Sequence, residues 1–103
     1  IDGPPSMRQS GHRGALRLVN GDSMEPTLSN GDRVVCDACG YDSGEGLYAI
    51  RMNGCGYVKR IQAATGKFII KSDNPKYDTL TEPMENEDIQ VIGRVHYVLK
   101  HVS

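Results

Sequence analysis

Turn signals interrupt this chain at short intervals and leave no stretch long enough for an extended helix. Asn30-Gly31, Asn53-Gly54-Cys55-Gly56, Thr65-Gly66 and Asp73-Asn74-Pro75 combine residues that accept left-handed backbone, bond their own main chain or fix φ. Between them lie "ALRLV" (15–19), "DRVVC" (32–36), "LYAIRM" (47–52), "YVKRIQ" (57–62) and "KFIIKS" (67–72). Short runs alternating between apolar and polar residues read as half-buried strands. Asn53 to Gly56 joins two of them as a hairpin. The last run, "IQVIGRVHYVLKHV" (89–102), alternates for most of its length, with Gly93 as a bulge or bend. Its alternation puts Ile89, Val91, Val95, Tyr97 and Leu99 on one face. Ile92 and Val98 fall on the other, with Gln90, Arg94, His96 and Lys100. One helical turn is expected, at "GDSMEPTL", where Asp22 precedes Glu25 at capping-box spacing and Pro26 suits a first turn. The pattern predicts an all-β domain.

A length of 103 residues fits one such domain. Residues 1–14, rich in Pro, Gly and Ser, read as the tail of a linker, and 15–103 as the domain. Hydrophobic residues make up 38%, aromatics 6%, and Trp is absent, so the core must be aliphatic. No run is long enough for a membrane helix, and the start lacks the apolar core of a secretory signal. Twelve basic against thirteen acidic residues give a net charge of -1, a poor basis for binding nucleic acid directly. Cys36, Cys39 and Cys55 are an odd number and do not read as a disulfide framework, which suits a reducing cytoplasm. "CDAC" raises structural zinc, with His12, His96 or His101 as a fourth ligand, but none stands at zinc-finger spacing. Free thiols are the preferred reading, with no metal or organic cofactor.

The residue that decides function is Ser23. A serine hydroxyl needs a neighbouring base to become a nucleophile. His12 lies in the linker-like start, and His96 and His101 lie beside no obvious orienting carboxylate. Lys59 is the other option. Alternation places it with Tyr57 and Ile61, and sharing an apolar face desolvates an amine and lowers its pKa. Only a neutral amine accepts the serine proton. The plainer account has the lysine stem packed on the sheet and its ammonium in water. Backbone amides near Ser23, at the start of a helical turn, are candidate oxyanion donors.

"GDSMEPTLSNGDRVV", "YVKRI", "IIKSDNPKYD" and "IQVIGRVHYVL" occur in the order found in the C-terminal domains of LexA and related phage repressors. The chain resembles that family from about residue 15 to 102. The resemblance implies short, strongly bent antiparallel strands and a Ser-Lys peptidase that cuts its own chain in an upstream linker. It implies Ser23 as nucleophile, Lys59 as general base, and the Ser23 and Met24 amides as oxyanion donors. It also implies a homodimer, a RecA filament as inducer in an SOS response, and operator DNA bound by a separate N-terminal domain. The family usually cuts at a small-residue–Gly bond, and no Ala-Gly pair precedes Ser23, so either the expected bond lies outside this sequence or the parent is a relative that does not cleave itself.

Other readings stay open on residues alone. "SMEPTL", "GDRV" and "VKRI" also resemble signal peptidase, whose Gly-Asp-Asn motif is here "SDNPKYD" and whose membrane anchor is not seen. A UmuD-type polymerase accessory subunit shares the same blocks. A pure dimerisation module would keep the fold and use the last strand as an interface. "SDNPKYD" itself reads first as a turn, and second as part of a substrate groove.

Overall fold

A computed structural model describes residues 14–102. The expected linker tail, and His12 with it, therefore lies outside the described residues apart from Gly14. The elements are β1 (Ala15–Leu18), β2 (Arg33–Cys36), β3 (Gly46–Met52), β4 (Cys55–Ala64), β5 (Lys67–Lys71), β6 (Leu80–Pro83) and β7 (Ile89–Leu99). They form one antiparallel sheet in the order β1-β2-β7-β3-β4-β5-β6. The all-β expectation holds. Among the described residues no helix is long and apolar enough to cross a membrane.

The turn chemistry works as the sequence suggested. Asn53 and Gly54 carry φ of 51° and 84°, and Thr65 and Gly66 carry 51° and 75°. Positive φ at both central residues is the hairpin turn whose twist matches that of its strands. The first of these turns is tighter than expected, because Met52 already pairs with Cys55. The expected helical turn shrinks to a single Leu28 N–H bond to the Met24 carbonyl. No capping box forms there. The Glu25 amide bonds the Asp22 backbone carbonyl, and the Asp22 carboxylate accepts from Tyr77 instead.

β7 corrects the expected face assignment. Ala49 pairs with Gly93 but Ile50 pairs with Val91, and Val35 pairs with Tyr97 but Cys36 pairs with Val95. Each slip leaves one extra residue on β7, Ile92 and then His96, so the alternation resets twice. Ile89 and Val91 consequently pack with one core, Val95 with another, and Tyr97 and Leu99 stand exposed.

The two cores lie on opposite faces of the β3–β4 hairpin. Val19, Met24, Leu28, Val34 and Val58 form one, supported by Leu47 and Val95. Tyr48, Ile50, Ile61 and Ile70 form the other. Lys59 pairs across from Tyr48, which puts it on the second face. Asp32, 2% exposed, accepts from the His101 amide, the Ser29 amide and the Lys100 ammonium. Those bonds hold its carboxyl at about 2 and tie the end of β7 to the turn before β2.

Candidate active site

Ser23 sits in the turn between β1 and β2, and its position is fixed from two sides. Met24, 2% exposed, anchors the turn in the first core. From the other side, the segment leaving β5 folds over it. The Asn74 amide nitrogen donates to the Ser23 carbonyl at 3.0 Å, and Asn74 Nδ2 donates to the Asp22 carbonyl at 2.9 Å. Asn74 is 8% exposed, so these are sheltered bonds. Tyr77 donates its hydroxyl to the Asp22 carboxylate.

Lys59 reaches the same point from β4. Its Nζ lies 3.1 Å from Ser23 Oγ and 2.9 Å from Ser72 Oγ. The residue is 8% exposed, and burial pushes its ammonium below the ordinary lysine value. Among the described residues no carboxylate lies within ion-pair distance of it. The rings of Tyr57 and Tyr77 flank the amine at 5.5 and 5.8 Å from their centroids.

The neighbour of Lys59 braces the assembly. Arg60 Nε and Nη2 each donate to Asp73 at 2.8 Å, a bidentate pair of fixed geometry. Arg60 holds the Asp73 carboxyl below its usual range, against the opposing effect of burial. Asp73 also accepts from the Thr27 hydroxyl. Thus β4, the segment after β5 and the serine turn are joined by side chains on both sides of the Ser23–Lys59 contact.

Beside the contact runs a groove of about 390 Å³ lined by Leu16 to Asn20, Ser23, Met24, Ile50 and Gly56 to Val58. Three strands separate β1 from β4 in the sheet order, so the sheet must curl to bring them to one groove. Among the described residues both present unpaired backbone. β1 is an edge, and β4 pairs with β5 only from Arg60 onward. Among the described residues, the amides of Ser23 and Met24 donate to no acceptor of the protein.

The other residues considered from sequence fall elsewhere. His96, expected to lack an orienting carboxylate, has one: its Nε2 lies 2.7 Å from Asp37. Burial pushes the Asp37 carboxyl up, but His96 and the Cys39 and Arg94 amides outweigh it and leave it lowered. Among the described residues neither His96 nor His101 hydrogen-bonds Ser23. Cys36 is a buried free thiol, and Cys39 and Cys55 are exposed ones. Among the described residues no group of His, Cys, Asp and Glu is placed to hold a metal ion. Sequence reasoning missed Ser72 and the clamp made by Asn74, Arg60 and Asp73. The available signal was the place of Ser72, Asp73 and Asn74 in "KSDNPKYD", directly after a strand neighbouring the lysine strand, and of Arg60 next to Lys59.

The fold is an all-β domain, and its serine turn brings Ser23 Oγ to within 3.1 Å of Lys59 Nζ. Residues 1–96 match the family described as Peptidase S24-like, and the chain belongs to that family. Over 81 residues it is 35% identical to the 26 kDa repressor protein of Escherichia phage HK022. The match covers 75% of this chain and 34% of that protein, so the chain spans about a third of the repressor's length. The LexA and phage-repressor resemblance read from the motifs is borne out at the level of family.

Proposed function

We propose that this chain is the self-cleaving and dimerising domain of a LexA-like or phage-type transcriptional repressor. The observation that carries the reading is the 3.1 Å approach of Lys59 Nζ to Ser23 Oγ, with the amine buried and its pKa lowered by that burial. Lys59 in its neutral form takes the proton from Ser23 Oγ as the oxygen attacks the carbonyl carbon of an extended linker segment. The unengaged amides of Ser23 and Met24 supply donors for the oxyanion that forms. Lys59, now an ammonium, gives its proton to the leaving amine as the C–N bond breaks. It then accepts a proton from the water that hydrolyses the acyl-serine ester. Ser72 holds the amine against the serine throughout, from 2.9 Å.

The free backbone of β1 and of the first half of β4 suits a substrate bound as an added strand. Operator DNA belongs to a separate N-terminal domain in this reading, since a net charge of -1 gives the present residues little attraction for phosphate. RecA filament enters as the inducing partner on the same basis, by the family resemblance. A second reading, a dimerisation module that does not cleave, is supported by the exposed apolar face of β1 and β7.

Intact-mass spectrometry over time, on a polypeptide carrying an upstream linker, decides between them. The expected result is a specific cut in the linker that quickens as pH rises, because more Lys59 is then neutral. Ser23→Ala and Lys59→Ala are both expected to abolish it. A wild type that stays intact at neutral and alkaline pH, with and without RecA filament, selects the non-cleaving module.

A further inference from the structure

We propose that Arg17 makes the groove selective for peptide segments carrying an aspartate or glutamate side chain. The inference rests on the groove being the peptide site, and it adds a chemical class of substrate to that reading. Leu16 and Leu18, on either side of Arg17 in β1, are 61% and 51% exposed. Alternation therefore turns Arg17 to the opposite face, where its register partner Val34 is fully buried. The guanidinium Nε is buried there with no hydrogen-bond partner. A buried donor left unpaired is costly, and more so when it belongs to a charged group. Among the described residues no carboxylate forms an ion pair with Arg17. Among the described residues it is also the only charged side chain lining the groove; Leu, Val, Met, Ile, Tyr, Asn, Ser and Gly make up the rest.

A peptide lying along the free edge of β1 presents alternate side chains to the wall that holds Arg17. A carboxylate on one of them matches the planar guanidinium fork and pairs with its terminal nitrogens, next to the buried Nε. A neutral amide of the same size offers one oxygen and no charge. The groove therefore distinguishes glutamate from glutamine at that position, whatever the residues at the cleaved bond.

The test uses short acetylated peptides built around a central Ala-Gly bond, with glutamate or glutamine placed at each flanking position in turn. Binding is read by NMR titration of the Ser23→Ala protein, and cleavage by mass spectrometry with Ser23 intact. At one register the glutamate peptide is expected to bind about tenfold more tightly than its glutamine counterpart, the scale of one partly desolvated charge pair. Arg17→Gln is expected to erase the difference, Arg17→Lys to keep part of it, and Arg17→Glu to favour a lysine peptide. Equal binding of glutamate and glutamine peptides at every position overturns the inference, as does a preference that survives Arg17→Gln. The comparison on unaltered Arg17 stands even where a variant does not fold. Glutamate-selective binding without cleavage upholds Arg17 and removes the peptidase reading. Cleavage without selectivity does the reverse, and a groove that binds no peptide overturns both.

Discussion

Lys59 shows how the requirement of the proposed chemistry opposes stability at one side chain. Its amine is ordinary in the unfolded chain, near 10.5, and lowered in the folded one by burial. The unfolded state thus binds the proton more tightly, and folding works against that proton at neutral pH. The opposition disappears as pH rises from the lowered value to 10.5, where both states lose the charge. Lys59→Met is therefore expected to melt at a higher temperature than the wild type at neutral pH, with the gap narrowing in alkali. Melting curves across that range check it, and a constant gap rules the burial argument out. The serine and lysine were legible as residue types in a motif, because their chemistry is local. Asn74 was not, since a buried amide bonding another segment's carbonyls looks in sequence like any Asx turn. Asn74→Ala removes the sheltered bond to the Asp22 carbonyl and the Oδ1 that accepts from the Lys76 amide, and should cost about 1–2 kcal/mol in a urea titration. If Asn74 only positions the serine turn, self-cleavage slows while its pH profile keeps the wild-type midpoint. A shifted midpoint would instead make Asn74 part of the lysine's electrostatic environment.

Among the elements, strands with turn residues at both ends were readable and the two exceptions have physical causes. β6 went unread because Leu80–Pro83 is four residues long, mostly exposed and closed by proline, all properties of a protected edge. β7 was read as one alternating strand, yet sequence alternation cannot register the unpaired residues at Ile92 and His96. Gly93 was the one local sign of irregularity, and its role is close approach. A Cβ built there lies 1.9 Å from the Asp37 carbonyl oxygen, which is backbone and cannot step aside. Gly54 is glycine for the other reason, with φ of 84° and nothing within 4 Å of an added Cβ. Gly93→Ala is expected to cost about 3 kcal/mol through overpacking, and Gly54→Ala about 1 kcal/mol through backbone strain. Denaturation midpoints of the two variants compare them directly. Equal losses would mean that the β7 bulge relaxes away from Asp37.

At the scale of the whole molecule, the β1 strand that borders the groove also belongs to an exposed apolar face shared with β7. Register aligns Leu16 with Val35 and Val35 with Tyr97, and Leu18 with Arg33 and Arg33 with Leu99. Four of these side chains stand well exposed: Leu16 at 61%, Leu18 at 51%, Tyr97 at 67% and Leu99 at 52%. Isolated exposed leucines are ordinary, but a contiguous sheet face of them marks an interaction surface. A second copy is the occupant that fits the proposed repressor domain, because a two-fold contact lets one patch cover itself. Tyr97 is at the centre of the argument, being the most exposed of the four and aromatic, the residue type that most often anchors an interface. Tyr97→Glu should therefore place two carboxylates in a desolvated two-fold contact and shift the protein to monomer in sedimentation equilibrium. The fold should persist, since Tyr97 packs in neither core, and an unchanged circular dichroism spectrum would establish that. A Tyr97→Glu protein that remains dimeric assigns the second copy to a different surface.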